Sequence, residues 1–583
     1  MGSAPWAILD FPGLGGRPTR EVFRDHAALV EARTADEVRP ALDEIERLAR
    51  AGLTMVGFVA YDAAPGLEPK FEVRQGYRGP LVWFAGFVAA AQGTELQVPR
   101  SPRGDNWNAE FDPEHYRRKV AEIIDGISRG DYYQVNLTER FSSAIERPLD
   151  VYERIREAQQ APYCAYIETA EMAVMSVSPE LFLQRSGEVI ESRPMKGTSR
   201  RGRWTAEDDH LARALATSEK ERAENVMIVD LIRNDMGRVA VPGTVQVPSM
   251  FTVEKYPTVL QMTSHVKSHL QQGTTLSDIF AALFPCGSVT GAPKIASSKA
   301  IAALESDPRG VYCGAVGVVR PGGEAFTFNV AIRTVVVDRA TGVATYGAGG
   351  GITADSDPDR ELAELQAKAA VLTSLPRSIE LLETLRLDGG DVPRLDRHLR
   401  RLSASADYFG FLDVPRAIAA VGAEIANQAL RNPTGLHRVR VILGPDGSHA
   451  VTLQPHSPDE RPRRLSLSAL PVDSTDRHLY HKLADRAFYT ARQAEAGDAD
   501  DVVLLNERGE LTETTIGSLV LEIDGSRVTP ALECGLLAGI FREELLESGE
   551  ISEAILHPDD LKRATRVWMV NSLRGWVECS IVG

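Results

Sequence analysis

The chain has little cysteine. Its 583 residues include five, Cys164, Cys286, Cys313, Cys534 and Cys579, scattered and in no C-x-x-C pair. That pattern excludes a disulfide frame or zinc site and points to reduced thiols in a cytoplasmic protein. Positive charge is also short: 65 Lys and Arg stand against 81 Asp and Glu, a formal net charge of -16. Phosphate backbones and anionic membranes need a basic face, so neither is expected as the main partner. No apolar run is long enough for a membrane span. The start, MGSAPWAILDFPG, lacks the basic region and apolar core of a signal peptide. No low-complexity linker and no internal repeat is found. What is present is an ordinary globular composition, 43% hydrophobic and 25% charged. The length suffices for roughly two to four domains.

Residues 1–110 alternate short apolar runs with Gly and Pro, which predicts strands and turns. The segment DPEHYRRKVAEIIDGISRGD, from Asp112 to Asp131, predicts a helix ending at Gly130 from its Asp-Pro start and helical apolar spacing. A mixture of strands and helices follows to about 370, and a helix near 359–374 runs into Leu375–Pro376. Beyond it the texture changes to a strand (SIELLETLRL), a turn (DGGD) and an arginine-rich helix (LDRHLRRLSASADYFG). A boundary near 376 divides the chain into 1–376, with 1–110 as its N-terminal subregion, and 377–583.

In ESRPMKGTSRRG (191–202) a strand-forming run meets Pro194, and Lys196 sits just before Gly197 and Thr198. Read locally, this is a turn with a solvated lysine. Elsewhere Glu221 and Glu224 lie three apart on one helical face, and Glu361 and Glu364 repeat the device, with Lys368 one turn later. Either pair alone is an ordinary solvated helix face. Brought together, the four carboxylates would form an oxygen-rich site suited to Mg²⁺.

The segments GDYYQVNLTERF, SPELFL, SRPMKGTSRRG, KERAENVMIVDLIRNDMGRV, FPCGSVTGAPK, GVYCGAVGVV, FNVAIRT and YGAGGGITADSDPDRELAELQAKA occur in this order. Together they resemble the chorismate-utilising enzymes, and within them component I of the aminodeoxychorismate synthases. The resemblance implies an α+β fold of antiparallel sheets and helices. It makes Glu224 and Glu364 direct Mg²⁺ ligands, supported by Glu221 and Glu361. Substrate-binding positions are Arg333, Tyr312, Ser288, Gly349, Gly350, Lys368, Gly197 and Thr198. Gln261 departs from the histidine of anthranilate synthases. Water-adding members carry a lysine base where this chain has Gln134, which weakens the isochorismate and salicylate readings. Anthranilate-forming members have alanine where this chain has Lys196, so Lys196 resembles the nucleophile that directs ammonia to C4 of chorismate. Glu180 resembles the acid that protonates the departing hydroxyl. Lys196 must be neutral to attack, and Arg193, Arg200 and Arg201 are the local cations that could depress its pKa. No glutaminase-like segment is found, so ammonia is expected from a separate glutamine amidotransferase subunit or from solution.

The second part carries LDRHLRRLSASADYFG, RVRVIL, HKLADRAFYTAR, DVVLLNERGELTETTIGS and GLLAGIFREELLESG. These resemble the fold-type IV pyridoxal-phosphate enzymes, a two-subdomain α/β fold. By that resemblance Lys482 carries the cofactor and Glu513 pairs with its pyridine nitrogen. Arg401 and the backbone N–H groups of Ile540 and Phe541 hold the phosphate. Ser518 departs from the asparagine of many relatives. Type IV enzymes are commonly dimers, which leaves a homodimer through this part open. The juxtaposition implies a bifunctional route: amination of chorismate, then loss of pyruvate to give 4-aminobenzoate. Three alternatives stay open: a C-terminal aminotransferase of other specificity, an anthranilate synthase-like first part, and a non-catalytic scaffold of degenerate domains.

Overall fold

The computed structural model describes residues 4–12, 18–91, 106–373, 379–457 and 461–582. The chain forms two compact units. One is Met1–Arg200 with Ala212–Arg377, and the other is Arg201–Leu211 with Ser378–Gly583. The expected boundary near 376 lies outside the described residues. The segment Arg201–Leu211, expected in the first part, belongs to the second unit. The buried Arg201–Asp208 pair (Nε–Oδ1 2.8 Å) explains this, because Arg201 also donates to the carbonyl of Tyr408 at 3.0 Å.

The first unit is built on two antiparallel sheets, of nine and ten strands. The nine-stranded sheet pairs Gln134–Ala144 with Val343–Ile352, so Gly349 opposes Thr138 and Gly351 opposes Asn136. Along Val343–Ile352 the side chains alternate: Ala344, Tyr346, Ala348 and Ile352 enter a core, while Gly347, Gly349 and Gly351 line the other, partly open face. The ten-stranded sheet has Met195–Arg200 at its edge, followed by Val259–His269 and Val189–Arg193.

The helix Pro113–Arg129 is capped as expected, with the Asp112 carboxylate accepting from Glu114 N and His115 N and Gly130 left-handed at φ 82°. The N-terminal subregion differs from the expected strands and turns, for it also holds the helix Val38–Arg50. Val38, Ala41, Leu42, Ile45 and Ala49 form its buried stripe. That spacing is helical, and each large side chain of the stripe contributes about 1.5–3 kcal/mol on burial.

The second unit has a three-stranded antiparallel sheet (Leu381–Asp388, Leu436–Leu443, His449–Pro455) with its own core against two helices. Its eight-stranded sheet mixes parallel and antiparallel pairs. An extra pairing of Leu511–Thr514 with Ser518–Ile523 closes six of those strands into a barrel-like ring. Among the described residues no helix is long and apolar enough to cross a membrane.

Candidate active sites

Lys196 lies within the strand Met195–Arg200, not in a solvated turn. Met195 opposes Thr263 and Thr198 opposes Gln261. Three steps along one strand therefore match two along the other, leaving a bulge at Lys196–Gly197. Such a bulge re-aims a side chain out of the ladder. Gly197 sits at φ 95°, and a Cβ there would stand 3.0 Å from Glu221 Oε2. Both facts call for glycine. Gln261 clasps the bulge: its Nε2 donates to Gly197 O at 2.8 Å and its Oε1 accepts from Thr198 Oγ1 at 3.0 Å. Asn225 Nδ2 reaches Lys196 O at 3.4 Å, and Ser264 Oγ donates to Asn225 Oδ1 at 2.6 Å.

The amine of Lys196 lies over Gly351. A Cβ on Gly351 would stand 2.4 Å from both Lys196 Nζ and Gln134 Nε2. Gln134 is fully buried, and neither of its amide atoms has a hydrogen-bond partner. Lys196 is half-buried, and removal from water lowers its pKa below the usual lysine value. Glu224, Glu364 and Glu180 oppose that shift, while Lys368 assists it. The expected local arginines do not take that part: Arg193 and Arg200 are exposed, and Arg201 packs in the second unit. The cation that lowers the Lys196 pKa is Lys368, far away in sequence.

Glu180 is 3% exposed and its Oε1 has no hydrogen-bond partner. Burial pushes its pKa up to about 7, against the Ser288 hydroxyl, the Lys196 charge and the Met195 N–H. It is thus a carboxyl that holds a proton near neutrality. Ser288 is buried beside it, with Cys286 Sγ 3.2 Å from its Oγ and Asn136 Nδ2 donating to its carbonyl at 2.9 Å.

The glutamate pairs stand on the helices Glu219–Gly237 and Pro358–Ala369. Glu361 accepts from Ser356 Oγ at 2.7 Å, and Lys368 Nζ bridges Glu364 Oε1 and Gly349 O, each at 2.7 Å. A Cβ on Gly350 would stand 3.1 Å from Glu361 Oε2. Burial raises the pKa of Glu221 and of Glu361, and the Glu364 charge adds to each shift. The two helices therefore present their carboxylates to one another's field. Among the described residues, however, no group of three or more such side chains is closed tightly enough to hold a metal ion. An all-oxygen set of mutually repelling carboxylates fits a hard divalent cation in chemistry.

Two further expected substrate contacts have partners of their own. Arg333, at φ 49°, gives Nη1 to Gln159 Oε1 at 2.8 Å. Tyr312 lies against Gly347, where a Cβ would meet its ring at 2.3 Å. Thr198 spends its hydroxyl on Gln261. Asn225 and Gly351 were not expected as site residues, and Gln261 was marked only as a departure from the family's histidine. Gly351 alone had a visible signal, as the third member of the glycine run.

In the second unit Lys482, Glu513, Arg401, Ser518 and Ile540 line one cavity of about 250 Å³. Burial pulls the Lys482 pKa down to about 8, helped by Arg401 and Arg486 and opposed by Glu383 and Glu513. Glu513 is buried and pushed up to about 7, while Tyr489 OH donates to its Oε1 at 2.9 Å. Arg401 pairs with Glu383 Oε2 at 2.7 Å and donates to Ala538 O at 3.0 Å. Glu383 also meets His398 Nδ1 at 2.7 Å. Burial alone would raise its pKa, but Arg401 and His398 hold it well below the usual carboxylate range. Gly539 opens the helix Ile540–Glu547, whose first N–H groups have no intrahelical acceptor. Phe541 buries its ring beside Val520 and Trp568, which leaves only its N–H for a ligand. A lysine, a buried carboxyl, an arginine and a helix start around one cavity fit pyridoxal phosphate.

Two antiparallel sheets bearing a lysine–carboxyl cleft, joined to a barrel unit with a cofactor-type lysine, define a two-site enzyme-like chain. Residues 83–374 match the model of chorismate binding enzymes, and residues 380–582 match that of class IV amino-transferases. The chain belongs to the chorismate binding enzyme family. It is 39% identical over 276 residues to aminodeoxychorismate synthase component 1 of Bacillus subtilis, covering 47% of this chain and 57% of that protein. It is 34% identical over 380 residues to anthranilate synthase component 1 of Thermus thermophilus, covering 64% and 78%. The crystal structure of anthranilate synthase component I from Streptococcus pneumoniae superposes with a TM-score of 0.51 at 25% identity, over 64% of this chain and 91% of that one. The chain thus spans little more than half the length of the Bacillus relative.

Proposed function

We propose that the chain makes 4-aminobenzoate from chorismate in two consecutive steps, the first centred on Lys196 and the second on Lys482. The observation that carries this reading is a lysine with a depressed pKa, aimed by a bulge into a groove with Glu180. Lys196 Nζ forms a bond to ring C2 as the C4–oxygen bond breaks, and Glu180 gives its proton to the departing hydroxyl, which leaves as water. Ammonia then bonds to C4 and the C2–Lys196 bond breaks, giving 4-amino-4-deoxychorismate. Gln134 cannot deprotonate water, which supports ammonia as the entering group. Glu224 and Glu364, with Glu221 and Glu361, would hold Mg²⁺, which would neutralise a substrate carboxylate. Lys368 and the backbone of Gly349–Gly350 border the same groove, and Arg333 and Tyr312 would complete the contacts to substrate.

In the second unit Lys482 removes the C4 proton of the amine, and the enolpyruvyl ether bond breaks, releasing pyruvate and an aromatic ring. Pyridoxal phosphate bound there would supply the electron sink. Glu513 would face its ring nitrogen, and Arg401 with the N–H groups of Ile540 and Phe541 would face its phosphate. Ammonia would come from a separate glutamine amidotransferase subunit.

Incubating the full chain with chorismate, Mg²⁺, ammonium and pyridoxal phosphate tests both steps. One pyruvate per 4-aminobenzoate is expected. A 2-aminobenzoate product would overturn the C4 assignment. The similarity to an anthranilate synthase over most of that relative's length favours this second reading, and Lys196 stands against it. Keto-acid formation from an amino donor, without pyruvate release from the amine, would instead make the second unit an aminotransferase.

A further inference from the structure

The cavity of the second unit is far more cationic than its cofactor requires. Arg401, Arg438, Arg440, Arg486, Arg574 and Lys482 line it, and Glu513 is the one carboxylate among the described lining residues. In a chain of net charge -16, such a concentration is not compositional accident. The cations fall into two sets. Arg401 and Arg486 are those whose charge depresses Lys482. Arg438 and Arg574 instead share a neighbour, His456, whose pKa is lowered by burial and then by Arg574, Arg438 and Arg386 in that order.

The backbone explains the grouping. Arg438 and Arg440 are two apart on the strand Leu436–Leu443, so both project from one face of the small sheet. Arg440 opposes Thr384, which also lines the cavity, and Arg438 opposes Arg386. Arg386 is held by Asp388 at 2.7 Å, and Arg438 also donates to Gln454. Arg574 comes from the turn between the strands Arg566–Asn571 and Gly575–Ile581, where its backbone N–H donates to Asn571 Oδ1 at 2.9 Å. Two walls of different subdomain sheets thus carry guanidinium groups into one cavity. Guanidinium groups pair with carboxylates by forked hydrogen bonds.

We propose that Arg438 and Arg440 on one wall and Arg574 on the other form a receptor for two carboxylates. The second unit would then select a primary amine that carries two of them, and would disfavour an amino acid with one. This rests on the 4-aminobenzoate reading for the identity of the amine, whose ring and enolpyruvyl carboxylates supply the two anions.

The test uses the full chain with pyridoxal phosphate bound. Benzene-1,3-dicarboxylate and benzoate are titrated while the cofactor's visible absorbance band is followed. That band reports the second unit alone. The dicarboxylate should perturb the band at concentrations at least about tenfold lower than benzoate. Arg438→Gln, Arg440→Gln and Arg574→Gln should each weaken the dicarboxylate by about tenfold or more while retaining the band. With 4-amino-4-deoxychorismate, the same variants should raise KM more than they lower kcat. Equal binding of the two probes, or a dicarboxylate affinity unmoved in all three variants, would overturn the receptor. If the probes discriminate as stated and the wild-type chain releases no pyruvate from 4-amino-4-deoxychorismate, the receptor stands and the lyase reading falls.

Discussion

The two lysines reach a similar state in opposite surroundings. Lys196 lies among carboxylates, and only burial, with Lys368, pulls its pKa down against Glu224, Glu364 and Glu180. Lys482 lies between arginines, and Arg401 and Arg486 add to the burial that pulls it to about 8. The difference matches the anions each would handle. A carboxylate-lined groove needs a cation before it can take an anionic substrate, whereas a cationic cavity takes a phosphate and further carboxylates directly. Desolvation is therefore the shared device, and the sign of the surrounding charge sets what else each lysine requires.

The largest effect that would sharpen this contrast comes from the lysines themselves. Lys196→Ala should abolish C4 amination, by a thousandfold or roughly more, yet leave pyruvate release from supplied amine intact. Lys482→Ala should do the reverse and remove the cofactor's visible band. Loss of both activities in either variant would break the separation. Next, Glu180→Gln should cost about 10²–10⁴-fold in the first step only. In the proposed mechanism the acid form of Glu180 is the active one, so first-step rate should fall as pH rises through about 7. The same mechanism needs neutral Lys196, so the rate should also fall at lower pH, giving a bell-shaped profile. Glu180→Gln should erase its alkaline limb.

A smaller effect is expected at Gly351→Ala. The new methyl would occupy the place of two flexible side-chain ends, Lys196 Nζ and Gln134 Nε2. Thermal stability should hold, while amination drops by about tenfold or more as the amine is displaced. The smallest is Gln261→Ala, which frees the bulge by removing two hydrogen bonds. Each is worth about 1 kcal/mol, so first-step kcat should fall several-fold, with the acidic limb of the pH profile moved as Lys196 changes burial.

Much of this is legible in the sequence alone. The caps at Asp112 and Gly130 mark their helix because capping is local chemistry. Helical spacing likewise puts each glutamate pair on one face. What spacing cannot give is convergence, because bringing Glu221 toward Glu364 depends on how two sheets place two helices. The same limit hid Lys368 as the cation beside Lys196 and made the nearer arginines look better. The bulge at Lys196–Gly197 was invisible because it depends on register with a strand some sixty residues away, where Gln261 looked only like a departure from histidine. The helix Val38–Arg50 has helical apolar spacing, but short strand-like runs on either side mask it. The transfer of Arg201–Leu211 to the second unit turns on the Arg201 guanidinium, which is 4.3 Å from the Tyr408 ring and held by Asp208. No local pattern announces such a partner.

The most direct test of the central claim is a chemical-quench mass analysis of the full chain during turnover of chorismate with Mg²⁺ and limiting ammonium. The peptide containing Lys196 should gain the mass of chorismate less water, lose it when ammonium is added, and show no gain in Lys196→Ala. A Lys196→Ala chain that still forms 4-amino-4-deoxychorismate would contradict the account.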